Sequence, residues 1–263
     1  MIPDTYQNAV DSGVFLQGVD SSDIGTKTKV AADEIVSPAV VMIIGQSNGG
    51  NHGETRHVAH GPVYNFNPFD GCCYRASDPL LGATGDGGSP WCLLGDALIA
   101  KGLAPSILYL PLSVGGAAVA EWAPGATYHH RMTYALGKLR EAGFWPSHVI
   151  WHQGEADALY GTSAQDYTAA FTALFQSLRE LGIAAPVYVA IASFFSIPEG
   201  YGSQQNIIRE AQRSLINGHL GILPGPDTDL IKDRYDGCHM GTLGLLQHAA
   251  AWEAVLMMPT ADR

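Results

Sequence analysis

The chain is poor in charge. Of its 263 residues only 15% are Asp, Glu, Lys or Arg, and 14 basic side chains face 25 acidic ones, for a net charge of −11. Lys and Arg form no cluster along it. Nucleic acid is therefore not an expected partner, because a phosphate backbone is held by concentrated positive charge. An anionic membrane surface is disfavoured on the same ground. Long apolar runs are also missing: a stretch such as Ala39–Ile44 is far too short to cross a bilayer. The opening Met1-Ile2-Pro3-Asp4-Thr5-Tyr6-Gln7 lacks the charged start and apolar run of a secretory leader, so the expectation is a soluble protein, cytoplasmic by default. Cysteine is scarce. Cys72, Cys73, Cys92 and Cys238 contain no C-x-x-C and match no zinc ribbon or finger. Free thiols are expected, with a bridge from Cys72 or Cys73 to Cys92 as the alternative.

What the chain does have is apolar material, 46% of its residues, enough for a sizeable core. Residues 1–37 are polar and weakly periodic, and read as an irregular N-terminal arm packed on the domain, with a short strand near Val14–Leu16. Residues 38–263 read as a single domain. Pro38–Gly45 is a continuous apolar run with β-branched residues, the pattern of a strand buried on both faces. The Gly-, Asn- and aromatic-rich region from Gly49 to about Ser89 shows almost no helical or strand period, and long loops of that kind are usually functional.

Alternation follows. A helix is expected over Pro90–Lys101 with Ser89 as its N-cap, then a strand over Ser106–Leu112 and a helix over Tyr128–Ala142. Next come a strand over His148–His152, a helix over Ala164–Leu181, a strand over Val187–Ser193 and a helix over Ser203–Asn217. Ile222–Leu223 and Leu230–Ile231 give one last short strand, and Thr242–Met257 a final helix. Strands alternating with helices imply crossover connections. The fold expected is α/β, a three-layer α/β/α sandwich around a mostly parallel five-stranded sheet. Sites in such sheets form at the carboxyl ends of the strands.

Four polar segments stand at those ends. The first is Gly45-Gln46-Ser47-Asn48-Gly49-Gly50, where a serine faces the crevice. A serine hydroxyl attacks only with a base in reach. The segment is not a P-loop, since no Gly-Lys-Ser/Thr follows, nor is it a nucleophile elbow, although Gly45-x-Ser47-x-Gly49 fits that bare pattern; a plain Gly/Ser/Asn loop is the alternative. The second, Ser113-Val114-Gly115-Gly116-Ala117, offers a glycine N–H that would join the N–H of Ser47 in an oxyanion hole. The third, Trp151-His152-Gln153-Gly154-Glu155-Ala156-Asp157, brings an amide suited to donate to an oxyanion and two carboxylates suited to brace neighbouring loops or cap their own. The fourth is Asp236-Gly237-Cys238-His239. An Asp three residues before a His folds back on the imidazole, fixes its tautomer and turns the far nitrogen to a serine. Asp233, Asp236 and His239 as metal ligands is the competing reading.

Taken in order, these segments resemble the SGNH-hydrolase superfamily, and within it the branch of sialate O-acetylesterases and acetylxylan esterases. The resemblance covers roughly residues 38–257. It rests on Gly45-Gln46-Ser47-Asn48, Gly115-Gly116 with Glu121-Trp122, Trp151 to Asp157, Asp236 to His239, and the helix segment Arg209-Glu210-Ala211-Gln212. Gln153 stands where the wider superfamily has Asn, as this branch does, and Ala117 stands where the branch usually has Thr. The resemblance implies a flavodoxin-like SGNH fold and a serine esterase that removes O-acetyl groups from a carbohydrate with no metal or organic cofactor. Ser47, His239 and Asp236 would be the triad, and Ser47, Gly116 and Gln153 the oxyanion hole. Gln46, Asn48, Gly115, Trp122, Glu155, Asp157 and Arg209 would support the site or bind substrate. Tyr64, Phe66, Phe69, Tyr74, Trp91 and Trp122 are candidates to stack on a sugar or to fill the core. His52, Arg56 and His57 are candidates for the pocket or the surface. A non-catalytic carbohydrate-binding protein and a lipase- or thioesterase-like member of the superfamily are the alternatives.

Overall fold

The computed structural model describes residues 22–196 and 202–258; the strand expected near Val14–Leu16 lies outside them. Eight strands are present among the described residues: β1 (Lys29–Val30), β2 (Pro38–Gly45), β3 (Val63–Asn67), β4 (Cys72–Arg75), β5 (Ser106–Pro111), β6 (His148–His152), β7 (Val187–Ile191) and β8 (Ile222–Asp227). They form one sheet in the order β1-β4-β3-β5-β2-β6-β7-β8. The stretch β3-β5-β2-β6-β7-β8 is parallel throughout, and β4 and β1 extend it antiparallel. The sheet is thus wider than the expected five strands. Those five are present as β5-β2-β6-β7-β8, and the other three come from the arm and from the region read as structureless.

Six α-helices cover the sheet among the described residues: α1 (Trp91–Ala100), α2 (Thr127–Glu141), α3 (Glu155–Tyr160), α4 (Ala164–Glu180), α5 (Gly202–Ser214) and α6 (Thr242–Leu256). The strand β2 shows how the layers arise. Side chains alternate across a strand, so Val40, Met42 and Ile44 pack with α2, α4 and α5, while Ala39, Val41 and Ile43 pack with α1 and α6. Both sets are buried, which is why the run is apolar at every position. Each such fully buried Ile or Met is worth about 1.5–3 kcal/mol over its exposed state.

Two boundaries differ from expectation. Ser89 is not the cap of α1: its hydroxyl donates to Asp78 Oδ1 at 2.6 Å and receives only a long 3.4 Å bond from Trp91 N. Leu230 belongs to a 3₁₀ turn over Thr228–Leu230, and the last strand is Ile222–Asp227 despite its two prolines. No helix among the described residues is long and apolar enough to cross a membrane.

Candidate active site

Strand β2 lies between β5 and β6; the chain leaves β2 for β3 on one side, and from β5 it crosses over β2 to β6 on the other. Its carboxyl end is a topological switch point, where a crevice opens between diverging loops. Gly45 ends the strand at φ +134°, and a Cβ there would stand 2.1 Å from the carbonyl oxygen of His152. Only glycine allows this approach. The chain then turns through a 3₁₀ segment, Ser47–Gly49, closed by Gly49 N–H to Gln46 O and Gly50 N–H to Ser47 O, both 2.8 Å.

Side chains flanking Ser47 hold this turn. Gln46 Oε1 accepts from the N–H groups of Gly154 (3.2 Å) and Ala156 (3.0 Å) and from Gln153 Nε2 (3.3 Å). Asn48 Nδ2 donates to Glu155 Oε1 at 2.8 Å and to the carbonyl of Cys238 at 3.2 Å. The serine turn is thereby tied to the loop after β6 and to the loop that carries His239. Burial raises the Glu155 carboxyl above its ordinary range, against the opposing Asn48 hydrogen bond and Arg234 charge.

The fourth segment folds as its spacing suggests. Asp236 Oδ1 accepts from Cys238 N–H (2.9 Å) and His239 N–H (2.7 Å), while Oδ2 lies 2.6 Å from His239 Nδ1. Partial burial opposes ionisation of Asp236, but the hydrogen bonds from His239 and Cys238 outweigh it and hold the carboxyl below its usual value. Asp233 has a separate task. Its Oδ2 accepts from Gly244 N–H at 2.7 Å and its carbonyl from Gly241 N–H at 2.9 Å, which anchors the start of α6.

Ser47 and His239 line one cleft of about 310 Å³, together with Gly116 and Glu155. Ala156, Leu159, Tyr160 and Phe195 give that cleft an apolar wall. Gly116 reaches it in a left-handed conformation, φ +74°. Its neighbour Gly115 donates its N–H away, to Thr84 Oγ1 at 2.7 Å.

Several expected site residues stand behind the cleft rather than in it. Gln153 is fully buried, and its Nε2 is committed to Ala117 O (3.0 Å), Gln46 Oε1 and Asp157 Oδ2. Two amide hydrogens shared among three acceptors leave none for an oxyanion, so Gln153 braces the Gly115–Ala117 turn. Asp157 Oδ2 accepts from Val119 N–H at 2.8 Å, and Trp122 packs edge-on against Trp151 in the core. Arg209 pairs with Asp227 (2.6 Å) and Asp229 (2.5 Å). Asp229 in turn receives Ser193 N–H and Phe194 N–H at 2.8 and 2.9 Å, so this network shapes the loop after β7.

The aromatic candidates Tyr64, Phe66, Phe69, Tyr74, Trp91 and Trp122 are all core residues. The aromatic rings at the cleft are Tyr160, which is exposed, and Phe195. Neither was legible as a site residue, since neither lies in one of the four polar segments. Arg56 donates to Asp86 O at 2.7 Å on the surface, and His57 binds Asp78 through its N–H. His52 turns inward and stacks on His239. All four cysteines are free, and burial pushes the Cys238 thiol beside the cleft up to about 12.

A mostly parallel α/β/α sandwich thus carries Ser47 at the carboxyl end of a central strand and an Asp–His pair on the last loop. The family model of carbohydrate esterases described as sialic acid-specific acetylesterase matches residues 38–250. The chain belongs to this family of carbohydrate O-acetylesterases. Among solved structures, a protein from Arabidopsis thaliana is similar at 20% identity and TM-score 0.67, over 84% of this chain and 98% of that one. NanS is similar at 14% identity and TM-score 0.56, over 87% and 100% of the two chains. Axe2, an acetylxylan esterase from Geobacillus stearothermophilus, is similar at 12% identity and TM-score 0.55, over 86% and 97%. At such identities the likeness is one of fold. No curated protein sequence matches significantly.

Proposed function

We propose that this chain removes O-acetyl groups from a saccharide through Ser47, His239 and Asp236, by way of an acetyl-enzyme. The observation that carries the reading is the sharing of one cleft by Ser47 and His239, with Asp236 bonded to the far side of the imidazole at 2.6 Å. Asp236 keeps a proton on Nδ1 and leaves Nε2 as the base. As the Ser47 oxygen attacks the ester carbonyl, its proton passes to Nε2 and the C=O electron pair moves onto oxygen. Collapse expels the sugar oxygen, which takes the proton from Nε2. Water then repeats the sequence on the acetyl-enzyme and releases acetate. The N–H groups of Ser47 and Gly116 serve as the oxyanion donors, each worth about 3–4 kcal/mol in the transition state. Gln153, first expected as a third donor, is assigned here to holding the Gly116 turn.

The size and wall of the cleft favour a short acyl group. At about 310 Å³ it sits at the low end of ligand pockets, enough for an acetyl group and part of a ring. NanS and Axe2, similar in fold, include by name an acetylxylan esterase, which supports an acetylated sugar as substrate. The test is Ser47→Ala with p-nitrophenyl acetate, alongside fluorophosphonate labelling of the unaltered protein. Loss of turnover in the folded variant and labelling at Ser47 are expected; retained turnover rejects the assignment. Faster hydrolysis of octanoyl than acetyl esters would reject the short-acyl reading alone.

A further inference from the structure

His52 follows the serine turn closely in sequence, and the structure puts its ring against the proposed base. The imidazoles of His52 and His239 stack with centroids 5.3 Å apart and planes inclined by 23°. His52 is itself held. Its Nε2 lies 3.0 Å from Thr84 Oγ1, and that oxygen also accepts the N–H of Gly115 at 2.7 Å. Thr84 is buried and pinned through its backbone: its N–H donates to Ser113 O (3.0 Å), and its carbonyl accepts from Asn51 N–H (2.9 Å). The ring occupies a slot walled by glycine backbone. A Cβ added at Gly85 would come within 2.8 Å of His52 Cδ2, and one at Gly115 within 3.0 Å of Cε1 and Nε2. Tyr235, from the loop of His239, donates its hydroxyl to the His52 carbonyl at 3.3 Å.

A hydrogen bond to Nδ1 fixes one edge of an imidazole, but not the rotation of the ring about that bond. The stacked face of a second, immobile ring supplies the missing constraint. We propose that His52 is a positioning residue, whose ring, clamped by Thr84 in its glycine slot, sets the plane of the His239 imidazole toward Ser47. This inference rests on the proposed roles of Ser47 and His239. Burial first, and then the charge of His239, lower the His52 pKa to about 4, so its ring stays neutral and does not repel His239 when that group takes up the proton.

Two variants of the full chain separate the face from the hydrogen bond. His52→Phe keeps a flat ring and loses the bond to Thr84; His52→Gln keeps a polar group for Thr84 and loses the ring. Turnover of p-nitrophenyl acetate is measured per site, with sites counted from the end-point of fluorophosphonate labelling. Misplacing a catalytic group by about 1 Å costs about a hundredfold. The expected result is therefore a ten- to hundredfold lower kcat per labelled site in His52→Gln, with KM within about twofold, and His52→Phe within about threefold of the unaltered protein. A merely structural role would lower the number of labelled sites and leave kcat per site alone, which would overturn the proposal. So would a ranking in which His52→Gln outperforms His52→Phe. If Ser47→Ala retains turnover, the esterase reading falls and takes this inference with it; if Ser47→Ala is inactive and both His52 variants are normal, only this inference falls.

Discussion

Replacing Asp236 with Asn tests the proposed triad at its most constrained point. The structure fixes which way the new amide must face. Asp236 Oδ1 accepts two backbone N–H groups, from Cys238 at 2.9 Å and His239 at 2.7 Å, and Oδ2 faces Nδ1 of His239 at 2.6 Å. An asparagine has one oxygen. If that oxygen keeps both backbone donors, the NH₂ group faces Nδ1, which must then accept. The ring proton moves to Nε2, and the base loses the lone pair that takes up the serine proton. The opposite orientation gives up two hydrogen bonds, about 0.5–1.5 kcal/mol each, and so holds only a small share of the molecules. The surviving fraction also lacks the carboxylate that stabilises the imidazolium. Together these losses amount to a drop of about 10⁴-fold in kcat, or about 5.5 kcal/mol of barrier. Stability should change little, because Asp236 and its two backbone partners sit at a partly exposed surface where water replaces lost contacts. The assay is kcat/KM on p-nitrophenyl acetate beside a urea unfolding curve of the same sample. Activity above a tenth of the original in a correctly folded Asp236→Asn protein would refute the tautomer argument, and with it the role of Asp236.

Two other expectations are open to direct measurement. Burial lowers His152 to about 3, His52 to about 4 and His248 well below its ordinary value, so the unfolded chain binds these protons first and stability is lost as pH falls below about 6.5. Burial raises Asp78 to about 6 and raises Glu155, which favours the folded state on acidification, but the lowered histidines outnumber these two carboxyls, so stability should fall between about pH 6 and 4; a urea midpoint that is flat or rises on acidification would contradict it. Tyr160, exposed on the apolar wall of the cleft, should stack on the sugar, so Tyr160→Ala should raise KM for an acetylated xylooligosaccharide about three- to tenfold and leave p-nitrophenyl acetate unchanged. Equal effects on both substrates would rule out the stacking role.

The central strands were legible because burial on both faces leaves no room for polar side chains. Val40 to Ile44 and Ile107 to Leu110 are apolar without interruption, and their flanks end in turn residues. Strand β3 escaped for the opposite reason. Its Asn65 and Asn67 are buried yet polar, since Asn65 exchanges bonds with the backbone of Leu81 (3.0 and 2.6 Å) and Asn67 caps Phe69 N–H at 3.1 Å. Side chains that bracket a loop break the alternation by which a strand is recognised. Strand β8 was read as two fragments because Pro224, Gly225 and Pro226 normally end a strand. It lies at the sheet edge, where a missing N–H costs no ladder bond, and Gly225 permits a close approach to β7: a Cβ there would stand 2.7 Å from Ala190 N.

The residues proposed to react stand out in the sequence more than the contacts that hold them. Serine, histidine and aspartate announce themselves by reactivity and by the geometry of a strand end. The residues that hold them do so through pairs far apart in the chain, and their residue types are ordinary. Gln46 is expected from its motif to support the site or bind substrate, but nothing in the motif shows that its side-chain oxygen gathers the Gly154 and Ala156 N–H groups. Gln153 reads as an oxyanion donor until its amide hydrogens are traced to Ala117 and Asp157. Each glutamine does the work of fixing a turn, and the two meet at 3.3 Å, so the first and third polar segments form one unit beneath the cleft. His52 follows the same logic. What marks it is no motif, but the glycines at positions 85 and 115 that leave space for its ring; a larger residue at either would push that ring off its seat against His239.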